Sequence, residues 1–257
     1  MTNIKALTIH YLYSVRRNKG RLIDILVWPV FEIIMFGYLG LYLQKESESL
    51  KKVATLLLGN LVYWHITART SNEVSAQFFD DLLSRNLQNI IAAPVTIKNI
   101  IISLGLGGII KMTVSFGLMW LTVWTIYGFN LFQVPLGQSA IALSVLIIQG
   151  LSIGFFVSAF AFLIGSKAVV LTWVITGLLQ PFSCVFYPRS ILPIPLKLIS
   201  YLVPSSYIFE YLRNAPLASL ELLTASFIIS ICYLAISIVS FIVFFRLSRK
   251  TGILMRL

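Results

Sequence analysis

QPFSCVFYPRSILPIP, residues 180–195, puts four prolines into sixteen positions of a chain that is otherwise almost continuously apolar. Each proline removes a backbone donor and biases the residue before it towards extended geometry, so regular helix has to stop here. The stretch is a linker, a surface loop, or irregular backbone held in or against a membrane. Composition decides the setting. The chain is 58% hydrophobic and 11% charged, with a mean hydropathy of +0.90, whereas soluble domains carry about 25% charged residues. A water-soluble globule of this composition could not cover its surface, so lipid is the solvent. Irregular backbone at membrane depth must then be buried in protein or reached by water.

Working outward from this stretch, the apolar runs predict an all-α membrane protein in one domain covering 1–257. Its six transmembrane helices lie at about 22–43, 53–77, 99–127, 138–165, 168–187 and 222–245. The net charge of +11 sits at the ends of these runs, which is a topology signal and not a nucleic-acid footprint. With both termini in the cytoplasm, Lys5, Arg16, Arg17, Lys19, Arg21, Arg69, Arg85, Lys98, Lys167, Arg246, Arg249, Lys250 and Arg256 fall inside. Lys45, Lys51, Lys52, Arg189, Lys197 and Arg213 fall outside. The excess inside sets the orientation and places residues 180–195 on the outer side, before the last span. No cleavable signal peptide is legible, so the first span does the targeting.

Two further segments are amphipathic. Ile4, Leu7, Thr8, Tyr11, Leu12 and Val15 share one helical face, predicting an interfacial helix over 3–18. In FFDDLLSRNLQNIIAAP, the residues Phe79, Leu82, Leu83, Leu87, Ile90 and Ile91 share another face, predicting a cytoplasmic helix over about 78–92 that ends before Pro94. Its polar face carries two acids and one arginine. Binding to anionic lipid favours the opposite balance, so a protein partner is the better expectation.

Most chemical motifs fail. GLGGIIKMT, residues 105–113, has two residues between Gly108 and Lys111 and lies within a span, so it is no phosphate loop; small residues for close helix packing are the better reading. Cys184 and Cys232 suggest neither a disulfide framework nor a metal site. His10 and His65 have no carboxylate at triad or metal-ligand spacing, so no catalytic or metal-binding residue is expected. Two charges lie deep, Glu32 in the first span and Lys111 in the third, and by residue count at similar depth. Either they pair or face a polar path, or Lys111 snorkels and Glu32 is protonated. Asn60, Trp64, Gln149, Trp173, Gln180 and Phe182 are candidates to line a path, or equally to pack helices.

Three segments together resemble a known family: WPVFEIIMFGYLG after the N-terminal helix, DDLLSRNLQNIIAAPVTIKNII, and LLQPFSCVFYPRSILPIPLKLISYLVPSSYIFEYLR. The chain resembles the integral-membrane permease subunit of ABC-2 type exporters over nearly its whole length. Pro181, Tyr187, Pro188, Leu192, Pro193, Pro204 and Arg213 carry the most specific part of that likeness. The resemblance implies a homodimer in the cell membrane working with two ATP-binding subunits, which hold the ATP and Mg; this chain has no cofactor of its own and is not an enzyme. It implies that Asp80, Asp81, Leu82, Arg85, Asn86 and Leu87 belong to a coupling helix that touches the ATPase. It also implies that residues 188–214 form a re-entrant segment of short helices. The competing reading is an ATP-independent secondary transporter or membrane-embedded enzyme, with the deep charges as ion or proton sites.

Overall fold

The computed structural model of the chain describes residues 2–17, 19–46, 48–128, 136–214 and 220–251, and helix is the only regular structure among them. In chain order these are α1 (Thr2–Arg17), α2 (Lys19–Leu26), α3 (Trp28–Glu46), α4 (Glu48–Leu83), α5 (Asn86–Ala92), α6 (Ile97–Tyr127), α7 (Leu136–Ile164), α8 (Val169–Phe182), α9 (Ile194–Ser200), α10 (Pro204–Asn214) and α11 (Leu220–Thr251). Short 3₁₀ turns at Gly165–Ala168 and Arg189–Ile191 join them. Four segments are long and apolar enough to cross a membrane: Lys19–Tyr42, Ile97–Tyr127, Gly137–Phe182 and Leu220–Lys250. Among the flanking charges expected to set topology, the side chains of Arg16, Arg17, Lys51 and Lys52, and all of Arg256, lie outside the described residues.

α2 and α3 form one bent span. Pro29 has no N–H to give the Ile25 carbonyl, and the helix bends at Val27. The freed carbonyl is not left bare. Ser115 Oγ on α6 donates to it at 2.5 Å, tying the bend to a neighbouring helix.

α4 is the expected second span, extended at both ends, and it is too polar to count with the four apolar segments. Its polarity is turned inward. Thr67, Thr70, Ser71, Glu73 and Ser75 are fully buried between α6, α7 and α8. Glycines admit this packing: a Cβ at Gly150 of α7 would lie 2.7 Å from the Thr67 carbonyl, and one at Gly108 of α6 would lie 2.7 Å from Val74. The glycine run 105–108 is thus a helix-packing surface. Beyond it, Phe78, Phe155, Phe162 and Phe241 interlock edge to face where α4, α7 and α11 meet.

The helix expected over 3–18 is α1. On its apolar stripe Leu7, Tyr11 and Val15 are buried, Asn3 Nδ2 donates to the Pro94 carbonyl ahead of α6, and Ser103 Oγ of α6 donates to the Ile4 carbonyl. Two expected boundaries are corrected. The helix expected over 78–92 is two pieces, because Ser84 closes α4 by donating to the Asp80 carbonyl at 2.7 Å and Arg85 then takes a left-handed conformation, φ 58°. The span expected over 168–187 ends at Phe182. At about 1.5 Å per residue α8 is roughly 21 Å long, short of the roughly 30 Å hydrocarbon core.

Candidate functional site

Two polar regions lie along α4, at Glu73 and at Asn60, about 20 Å apart on its axis. The first is built around Glu73, whose side chain is 1% exposed. Three cations from three helices converge on it: Lys111 Nζ of α6 at 3.5 Å, Arg69 NH1 of α4 at 3.7 Å and Arg21 NH1 of α2 at 3.9 Å. Arg69 is anchored in turn by Asp24 Oδ2 at 2.7 Å and by the Asp24 carbonyl. Arg21 donates to Asp80 Oδ2 at 2.9 Å. Three cations therefore meet three carboxylates. That balance permits burial, since an unmatched charge here would cost several kcal/mol, on the order of 3–5.

The deep charges do not pair with each other. Glu32 Oε2 lies 2.8 Å from His65 Nε2, while Lys111 reaches Glu73. His65 and Glu73 are eight residues apart on α4, which separates the two sites by about 12 Å along the helix axis. Counting residues from the span ends set the two level, whereas α6, at 31 residues, is about 46 Å long and its Lys111 meets α4 at Glu73 and not at His65. Arg69, expected to flank a span, is likewise a buried member of the network. Glu73 and Asp24 were not singled out from sequence. The i, i+4 spacing of Arg69 and Glu73 was the available signal.

The network leads to the turn between α4 and α5. Asp80 is held by Arg21. Asp81 is buried, with His10 Nε2 2.8 Å from its Oδ1 and Asn86 Nδ2 donating to the same oxygen at 3.0 Å. At the Tyr11 phenol, burial first, and the Asp81 charge second, hold the pKa well above its ordinary value. Leu82 and Leu87 are buried in the apolar core. Of the six residues expected to touch a partner, only Arg85 is fully exposed, and it stands beside exposed Leu83, Ser84, Gln88 and Asn89.

The second region is the proline-rich segment. Tyr187 Oη donates to the Pro181 carbonyl at 3.0 Å, folding the chain back after α8. Cys184 turns at φ 57°, and Arg213 NH2 donates to its carbonyl at 2.9 Å. Asn60 of α4 donates to the Val185 carbonyl at 3.0 Å. Pro188 precedes the 3₁₀ turn, Pro193 caps α9, and Pro204 opens α10. Buried Arg189 bonds Ser206 Oγ at 2.6 Å and lies over the rings of Tyr201 and Tyr207, at 4.3 and 4.6 Å. Gln149 of α7 accepts from the Ser205 amide at 2.8 Å. The segment is a knot of directional bonds closing one end of the bundle.

A family model for ABC-2 type transporters matches residues 2–217, from α1 through the proline-rich segment. The chain belongs to the ABC-2 type transporter family. No curated protein matches it as a relative. As a member of that family it is a multi-pass membrane protein and a permease component of an ABC transporter, a transport subunit in itself.

In this ABC-2 permease a cleft opens beside the Glu73 network, between the first span, α4 and α8. Trp64, Trp173 and Gln180, candidates to line a path, border it together with Glu32, Asp24 and His65. Gln149 instead caps α10, and Asn60 pins the segment after α8.

Proposed function

We propose that the chain is the membrane half of an ATP-driven exporter, paired with a second copy of itself and with separate subunits that bind ATP and Mg. The carrying observation is the α4–α5 turn. Leu83, Ser84, Arg85, Gln88 and Asn89 on its outer strip are exposed, while Asp80 and Asp81 just behind them are tied through α1 and α2 to the Glu73 network. An ATPase pressing on that strip would move α4, and with it the ion pairs holding three helices together. In this reading the chain has six spans in the cell membrane with both termini cytoplasmic, the strip lies on the ATP side, and residues 188–214 are re-entrant at the exit.

Affinity purification of the chain from its native membrane tests this. A chain carrying a phosphate-loop motif is expected to copurify and to be lost with Leu83→Asp and with Arg85→Glu. If no ATP-binding chain accompanies the wild-type protein, the reading fails.

A further inference from the structure

The cleft between the first span, α4 and α8 has an unusual lining. Three of the chain's five tryptophans, Trp28, Trp64 and Trp173, border it. Its ionisable groups are arranged asymmetrically. The carboxylates face the opening, with side-chain exposures of 33% for Asp24 and 24% for Glu32. Their basic partners stand behind them, at 5% for Arg69 and 10% for His65. A molecule entering the cleft therefore meets carboxylate oxygens and indole surface before it meets any positive group.

The two carboxylates are not equivalent. Asp24 is held by Arg69 through both carboxylate oxygens and its own carbonyl. Among the described residues Glu32 is paired with His65 alone, and Nε2 of that imidazole lies at an angle that makes no hydrogen bond. Trp28 is four residues before Glu32, one helical turn away on the same face. Trp28 and Trp173 are 58% and 61% exposed, so indole surface is available on both the first span and α8. Indole faces attract cations, most strongly where water is excluded, and a carboxylate beside them supplies the counter-charge.

We propose that this cleft binds an aromatic organic cation, with Glu32 as its counter-ion and Trp28 and Trp173 as its stacking walls. The proposal names a substrate class and so rests on the transport reading above. A neutral sugar polymer would also stack on indoles but would not need the carboxylate.

The test uses the purified chain in phosphatidylcholine nanodiscs, whose lipid carries no net charge. N-benzylpyridinium, which quenches indole fluorescence on contact, is titrated against diphenylmethane, its neutral isostere. The cation is expected to bind the wild-type protein at least about tenfold more tightly than the isostere, and Glu32→Gln should erase that preference. Trp173→Ala should weaken the cation more than Trp173→Phe does. His65→Gln removes the competing partner while leaving the carboxylate, and should bind the cation at least as well as wild type. Weakening by His65→Gln equal to that of Glu32→Gln would show that only the pair's structural role matters, and would overturn the proposal. Equal binding of cation and isostere, or cello-oligosaccharide binding indifferent to Glu32→Gln, would overturn it too. Binding needs neither ATP nor a second subunit. Intact charge-dependent binding without copurification of an ATPase breaks the coupling reading; copurification without it breaks this inference.

Discussion

The two polar regions along α4 are held by different chemistry. Lys111 joins α6 to α4 at Glu73 through an ion pair of 3.5 Å, and neither Glu73 oxygen has a hydrogen bond among the described residues. α2 is also clamped to α4 by the Arg69–Asp24 and Arg21–Asp80 bonds at 2.7 and 2.9 Å. Around Ser183, Arg189 and Ser206, the chain is held by hydrogen bonds of 2.6–2.8 Å with defined donors. Coulomb attraction at such separations changes slowly with distance and has no preferred angle, so helices joined by it can slide and exchange partners. Hydrogen bonds lose their strength steeply as they bend. The end bearing the α4–α5 turn is therefore suited to rearrangement, and the end bearing α9 and α10 to staying closed.

Removing the centre of the charged network should have the largest effect. Glu73→Gln leaves Arg21, Arg69 and Lys111 facing two carboxylates, and should destabilise the protein by about 3–5 kcal/mol in reversible unfolding from mixed micelles. Adding Lys111→Met should restore most of that loss, because charge balance returns. If the double variant is as unstable as the sum of its single changes, the network is not a unit and the contrast between the ends collapses. At the other end, Arg189→Lys keeps the charge but loses the planar fork bonded to Ser206 and stacked on two tyrosines. We expect a loss of about 1–3 kcal/mol, with no rescue by any neighbouring charge change, since a directional bond has been removed.

How far each end was legible in the sequence follows the same division. The proline segment could be read because proline acts locally: Pro188, Pro193 and Pro204 stand at the starts of helical turns, and Pro181 lies in the last turn of α8. Short helices within 188–214 were expected, and Ile194–Ser200 and Pro204–Asn214 are found. The glycine run was also legible, since only small residues let helices approach this closely. The Glu73 network was not, because its members come from α2, α4 and α6 and nothing in one helix records what the others bring. Asp80 and Asp81 were expected to face a partner for the same reason. Amphipathic spacing marks a polar face, but His10, Arg21 and Asn86, which occupy it, come from outside that face or beyond the turn.

A smaller effect is expected where α1 meets the turn. Asp81→Asn keeps the shape but weakens the bonds from His10 and Asn86, and should cost about 0.5–1.5 kcal/mol. Amide exchange of α1 should quicken more than that of α10. Uniform quickening of both would mean that the ends are not mechanically separate.

The smallest effect on stability, and the sharpest separation of stability from coupling, belongs to Arg85. Its side chain is exposed and its backbone is left-handed, a conformation that costs a non-glycine residue about 1–2 kcal/mol. Arg85→Gly should therefore hold or slightly raise the unfolding free energy, by no more than about 1 kcal/mol, since relief at φ 58° offsets the added freedom of the unfolded chain. Arg85→Glu should change it by less than about 0.5 kcal/mol. Both remove the one cation on the exposed strip and should weaken ATPase copurification, Glu more than Gly. A strained turn kept at an exposed arginine is explained if the arginine is there to be bound. If Arg85→Gly copurifies as well as wild type, the contact belongs to the backbone and to Leu83, and the side chain of Arg85 is a bystander.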